Sequence, residues 1–408
     1  MRALARTLRG PMMNAKLYDY IMSLPIVDSY ELLPPRAELR QPRDVIAELL
    51  SDAPASALLS AGLEPGKLEL ALGDQLSVRE KWKLISRHWE LAAHTPACRA
   101  ADLAACELYG IDEIDEDTIE AYDAIFRLTF SESRYEYILK ERCHIEFALL
   151  FGEQNSMTEP LADRRYFKPA GDISSLVSPQ SAEEVQKACE LAKIGVSAFD
   201  DYLEACARLL LQISGHCKVI YCTKAPLPLP SSYSDARSAF AALISGQRSD
   251  GCEAVQRYVF RHLMSLAETQ GLTVRLDDGG AESISYAELF TLYPNLKFDI
   301  LVSESPGRRE LSRFAATLPN VYANFSKAPG AAAEYLGFVP YSKLVFFGGG
   351  CRTIDAVYGR VQIARETLAR VLSQYIASGI FSLRRAETAA RAMLFENAKN
   401  LYNAQPAA

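Results

Sequence analysis

The chain has no Cys-x-x-Cys pair, no run near the ~18 apolar residues of a membrane span and no low-complexity tract. It carries only five histidines in 408 residues. Each shortage excludes something. Without paired cysteines, neither a zinc ribbon nor a thioredoxin-like motif is expected. The nine cysteines (Cys98, Cys106, Cys143, Cys189, Cys206, Cys217, Cys222, Cys252 and Cys351) are odd in number and scattered, which reads as buried reduced thiol in a reducing cytoplasm. Basic charge is also short, with 44 Lys and Arg against 51 Asp and Glu and a formal charge of −7. Phosphate backbones need a basic face, so nucleic acid is excluded as the main partner, and the lack of a long apolar run excludes a membrane. Met1–Pro11 holds Arg2, Arg6 and Arg9 without an acidic residue, but no apolar core follows, so a secretory signal is not expected.

What is present is an ordinary balance for a globular chain, 49% hydrophobic and 23% charged. Short apolar runs alternate with longer helical patterns, the mark of parallel strands joined by crossover helices. Strands are expected at Pro25–Ser29, Ile145–Phe151, Arg165–Lys168, Cys217–Cys222, Leu272–Leu276, Lys297–Val302, Asn320–Asn324 and Lys343–Phe347. Eight such strands predict an α/β fold, a (β/α)8 TIM-like barrel over residues 1–402, with 403–408 as a tail. Capping boxes are expected at Ser181–Glu184 and Ser285–Glu288. One stretch breaks the rhythm. The first two strands are separated by about 115 residues, far more than a usual βα connection. Helical patterns at Val78–Leu91, Cys98–Tyr109, Asp117–Leu128 and Ser133–Arg142 predict an inserted helical subdomain over about 40–142.

Five segments, taken in order, carry a family resemblance. They are Val27-Asp-Ser-Tyr-Glu-Leu32, Glu80-Lys-Trp82, Glu107-Leu-Tyr-Gly-Ile111, the run from Leu336 to Gly349, and Glu396-Asn-Ala-Lys-Asn-Leu-Tyr402. Together they resemble the amidohydrolase superfamily, in its amidohydrolase-related branch close to uronate isomerase, over about residues 14–402. The resemblance implies one or two divalent metals, held by His-x-His after strand one, a His after each of strands five and six, and an Asp after strand eight. In such a site, imidazoles and one carboxylate leave a position where bound water becomes a nucleophile, with the Asp as base. A Lys on strand four can add a carbamate, and here Lys218 lies in that strand.

Every one of those ligand positions departs from the pattern. They hold Tyr30, Leu32, Asp277, Val302 and Gly350. The five histidines do not substitute, since His88 and His94 lie in the insertion, His262 in a helix, and His144 and His216 before strands two and four. No metal and no other cofactor is therefore expected.

The residues expected to line the pocket at the C-terminal ends of the strands are Tyr30, Glu31, Leu32, Lys224, Asp277, Asp278, Val302, Ser303, Gly350, Cys351 and Arg352. Asp277, Asp278, Tyr30 and Glu304 are the acid–base candidates, and Cys351 is a candidate activated thiol. Gly348-Gly-Gly350 before a helix suggests an anion cradle, with Arg352 beside it to favour a carboxylate. Loss of the metal's charge leaves the rim acidic, so Arg352 or Lys224 is expected to turn inward and pair with Asp277 or Asp278, with Arg308 as a further cation. The leading functional expectation is a non-catalytic binding or assembly subunit, partnered by an active amidohydrolase homologue or by itself as a homo-oligomer. A metal-independent enzyme acting on a small sugar acid or other carboxylate is the alternative. A conventional metal-dependent hydrolase or isomerase comes third.

Overall fold

A computed structural model describes residues 13–40, 43–152, 162–223, 225–246, 252–278, 283–305 and 309–403. Its eight strands are β1 (Ile26–Glu31), β2 (Ile145–Leu150), β3 (Phe167–Asp172), β4 (Val219–Tyr221), β5 (Thr273–Asp277), β6 (Lys297–Leu301), β7 (Val321–Asn324) and β8 (Leu344–Val345). They form one sheet in sequence order from β1 to β8. The pairs whose register is described, from β1–β2 and from β3–β4 through β7–β8, are parallel. This is the order and direction of a (β/α)8 barrel, as the alternation of apolar runs and helices predicts.

The third strand starts two residues later than expected and runs further. Arg165 is exposed and forks onto Asp163, while the strand itself reads Phe-Lys-Pro-Ala-Gly-Asp, which has little of the β-branched signature of a strand. The capping boxes also differ. Ser181 does accept the Glu184 N–H, but the Glu184 carboxylate takes the Gln180 N–H rather than that of Ser181. The other helix begins at Ser283, which places Ser285 inside it.

The chain divides into two compact units. The first comprises residues 1–150, 163–167 and 347–395. It holds α1 (Ala15–Ser23), β1, β2 and, between these strands, α2 (Val45–Leu50), α3 (Pro54–Ser60), α4 (Pro65–Leu72), α5 (Val78–Ala92), α6 (Pro96–Tyr109) and α7 (Ile119–Leu128). The three shortest of these, α2 to α4, precede the expected helical patterns. Helices α2 to α7 share an apolar core around Ile46, Leu58, Trp82, Trp89, Tyr122 and Phe126, with the two tryptophan rings 5.9 Å apart. Burying side chains of this size stabilises the unit by about 1.5–3 kcal/mol each. Asp44 caps α2 by accepting the Ala47 N–H and also holds the fully buried Lys81 at 2.5 Å.

The long helix α8 (Ile354–Ala377) follows β8 and packs on α6. Gly359 makes that approach possible, because a Cβ there would stand 1.9 Å from the Ala100 carbonyl oxygen. Lower in the same helix, Arg365 is buried and donates to the carbonyls of Leu24 and Cys143.

The second unit comprises 151–162, 168–346 and 396–408. Neighbouring strands contribute a buried polar network: Arg275 on β5 pairs with Asp299 on β6, which also accepts from Asn324 of β7 and from the Tyr402 hydroxyl. Burial without partners would be costly for each of these groups, and the network satisfies them together.

Candidate functional site

The pocket residues expected from the sequence fall in both units. In the first unit they surround the chain that follows β8. Strand β1 is buried along nearly its whole length, so Asp28, Ser29 and Glu31 are all fully buried. Such groups must find hydrogen bonds. Ser29 donates its N–H to Phe347 O at 3.0 Å. Asp28 Oδ1 accepts the N–H groups of Tyr30 and Gly349, each at 3.0 Å. Glu31 Oε1 accepts those of Leu32 at 2.8 Å and Cys351 at 2.5 Å. From the turn after α2, Asp52 Oδ2 accepts those of Arg352 at 2.7 Å and Thr353 at 3.4 Å. Arg360 on α8 completes the set, bonding Asp52 Oδ1 at 2.7 Å and Gly349 O at 2.6 Å.

These contacts correct the expectation of an anion cradle at Gly348–Gly350. The N–H of Gly350 goes to Tyr30 O, and those of Gly349, Cys351, Arg352 and Thr353 go to the three carboxylates. The Gly349 and Gly350 donors that a phosphate would use are taken by Asp28 and by the Tyr30 carbonyl. Gly350 has φ +59°, a left-handed conformation, and a Cβ there would stand 3.1 Å from the Tyr30 ring.

Asp28 Oδ2 and Glu31 Oε2 receive no N–H or O–H from the described residues, and both lie within 3.0 Å of where a Gly349 Cβ would stand. Burial raises the pKa of both carboxyls, and the adjacent Asp28 charge raises that of Glu31 further. The pair therefore favours sharing a proton. Cys351 is fully buried, and burial together with the Glu31 charge pushes its thiol well up, so it is not an activated nucleophile.

In the second unit, Asp277 and Asp278 do not act together. Successive residues at a strand end point to opposite faces. Asp277 is exposed and pairs with Lys327 Nζ at 3.1 Å. Asp278 is buried and accepts the Leu311 N–H at 2.8 Å, the Ser312 N–H at 3.3 Å and the Ser312 hydroxyl, capping the turn Ser312–Ala316. Val302 is fully buried, Ser303 is half-buried and Glu304 is exposed. Lys224 and Arg308 lie outside the described residues.

A divalent ion does not fit the residues at the expected ligand positions. Leu32 and Val302 offer no donor atom, Gly350 has no side chain, and Asp277 already holds a lysine. The described residues contain no group of three or more His, Cys, Asp and Glu side chains suited to holding a metal. None of the described helices is long and apolar enough to cross a membrane.

Beyond the end of β1 and at the start of α8 lies a cavity of about 230 Å³, lined by Pro34, Arg40, Arg43, Glu48, Ser51, Arg352, Thr353 and Ile354. Arg40 stacks on the Phe130 ring at 4.4 Å and donates to Glu48 Oε1 at 3.3 Å. Its Nη1 is buried without an acceptor among the described residues. Arg43 Nε stands 4.0 Å from Glu48 Oε2, and its guanidinium also reaches the Ser51 hydroxyl. Burial pushes the Glu48 pKa up to about 7 in spite of both arginines, with Asp355 adding to the rise. Of these residues, the sequence reading selected only Arg352. The remaining signal was faint: two arginines just before the cap that opens a short helix.

No protein-family model matches the chain. A stretch of 129 residues, 29% of this chain, is 28% identical to part of Protein fluG of Emericella nidulans and spans 15% of that protein's length. The fold superposes on a uronate isomerase of Thermotoga maritima with a TM-score of 0.81 at 16% identity, covering 96% of this chain and 98% of that one. Against a glucuronate isomerase of Caulobacter crescentus the TM-score is 0.76 at 16% identity, with 97% of each chain covered. Identity at this level carries the fold and leaves the chemistry to the site. The chain has the (β/α)8 barrel fold seen in these isomerases.

Proposed function

We propose that this barrel is a metal-independent binding protein for a small carboxylate of sugar-acid type, and that it has kept the uronate isomerase fold without that fold's metal chemistry. The observation that carries the reading is the cavity with Arg40, Arg43 and Arg352 in its wall against a single carboxylate, Glu48. With Glu48 ionised these four groups carry a net charge of +2, and guanidinium forks match carboxylates in a bidentate fashion. The departures at Tyr30, Leu32, Asp277, Val302 and Gly350 support the absence of a metal from this function.

Isothermal titration with glucuronate and with uncharged glucose near pH 6 tests the reading. Glucuronate is expected to bind and glucose is not. Arg40→Ala and Arg352→Ala should each weaken binding by roughly tenfold or more, the scale of one lost charge-assisted hydrogen bond. Equal affinity for the two sugars, or arginine variants that bind like the parent, would overturn it.

A further inference from the structure

Two of the three cavity arginines are already engaged, and by the same group. Glu48 lies on α2 with Arg40 at 3.3 Å from one oxygen and Arg43 at 4.0 Å from the other. Only 9% of its side chain is exposed, and it also lines the smaller cavity enclosed by Ala97, Ala100, Ala101 and Ala104. A carboxylate ligand entering the arginine cavity meets a site whose cations hold an internal carboxylate.

We propose that Glu48 and the bound carboxylate compete for Arg40 and Arg43, so that the ligand enters with uptake of one proton by Glu48. This rests on the reading of the cavity as a carboxylate site and adds its regulation. The proton comes from solvent and ends on a Glu48 carboxyl oxygen, which leaves the two guanidinium groups to the ligand. Geometry favours the exchange. The Glu48 contacts are long for charge-assisted bonds, whose usual N–O distance is about 2.7–2.9 Å. A ligand anion at the same arginines would add like-charge repulsion to the burial that already disfavours ionised Glu48.

Asp52 and Arg360, paired with each other at 2.7 Å, line the smaller cavity with Glu48, and Arg352 lines the larger one. Arg40 and Arg43 precede α2, and Asp355, held by Arg134 at 3.0 Å, faces it from α8. Tyr122 of α7 and Tyr135 are close enough to feel its charge, and burial holds both phenols neutral through the neutral range. Asp355 is fixed by Arg134 and by the Tyr109 hydroxyl. Glu48, its carboxyl pKa raised to about 7, is the acid of this set that shares its cations with the cavity.

Titration calorimetry with glucuronate, whose own carboxylate stays ionised, tests this in two buffers of different ionisation enthalpy across about pH 5.5 to 8.5. The expected result is a Kd that is flat on the acid side and weakens by up to tenfold per pH unit above neutrality, with a buffer-dependent enthalpy that reports proton uptake approaching one. Glu48→Gln should bind with a pH-independent Kd and no proton uptake. Wild-type binding with neither pH dependence nor uptake would overturn the coupling and leave the carboxylate site standing. A Glu48→Gln variant that keeps the parent's pH profile would do the same. No glucuronate binding at any pH would overturn both the site and the coupling.

Discussion

Asp52 accepts the main-chain N–H of Arg352 at 2.7 Å, joining residues 300 positions apart in the chain. The same carboxylate takes the N–H of Thr353, the residue that opens α8, and the guanidinium of Arg360 about two turns further on. Thr353 makes no side-chain cap of its own, so the helix start is held by an acid from the turn between α2 and α3. An acid at that end also suits the helix dipole. The loop that begins the arginine cavity is therefore set by buried acids beneath it and not by its own glycines.

Replacing Asp52 with Ala should destabilise the protein by about 2–4 kcal/mol, because buried N–H donors and the Arg360 charge lose their acceptor together. Urea unfolding measures the change. A loss below about 0.5 kcal/mol would show that the acid is dispensable to the loop.

Gly359→Ala should cost about 3 kcal/mol or more, since its methyl would have to displace the Ala100 main chain. Main chain gives far less readily than a side-chain tip. Thermal denaturation that leaves this variant level with the parent would contradict the close packing of α6 on α8.

Stability should fall as pH rises from about 5 to about 8. Burial raises the carboxyl pKa of Glu48 to about 7 and that of Asp102 to about 6, and raises those of Asp28 and Glu31. A raised acid binds its proton more tightly in the folded state, so its contribution is complete below the unfolded pKa and is lost as pH climbs through the folded one. For Glu48 alone the loss is on the order of 3 kcal/mol. Burial lowers the pKa of His262, which works in the opposite sense near pH 6 but is a single half-buried group. Melting temperatures over this range should decline, and less steeply in Glu48→Gln. A rising curve would contradict the assignment.

EDTA should leave the melting temperature unchanged, because the proposed function places no metal at Tyr30, Leu32, Asp277, Val302 or Gly350. A drop of several degrees on chelation would refute this. The triple variant Gly350→Asp, Leu32→His and Tyr30→His should gain no turnover of glucuronate, followed by proton NMR. Val302 would still offer no ligand, and Gly350 has a φ of +59° that a side chain tolerates poorly.

The barrel, and the residue types at the positions expected to hold a metal, could be read from the residues one at a time. Apolar runs such as Ile145–Leu150 and Lys297–Leu301 are strands because nothing else buries them between helices, and Leu32 or Val302 cannot bind a metal in any fold. The partners of the polar groups could not be read this way. Asp28 lies in a strand-like run with nothing local to suggest that its carboxylate would hold Gly349, and Asp277 and Asp278 look like a pair in the sequence although the alternation of strand faces sends one to Lys327 and the other to Ser312. Arg40, Arg43 and Glu48 resemble ordinary surface charges until folding puts them beside Arg352. Local pattern decides which segments are buried. The pairing of groups hundreds of residues apart depends on strand register and helix packing, which no short stretch of the chain encodes.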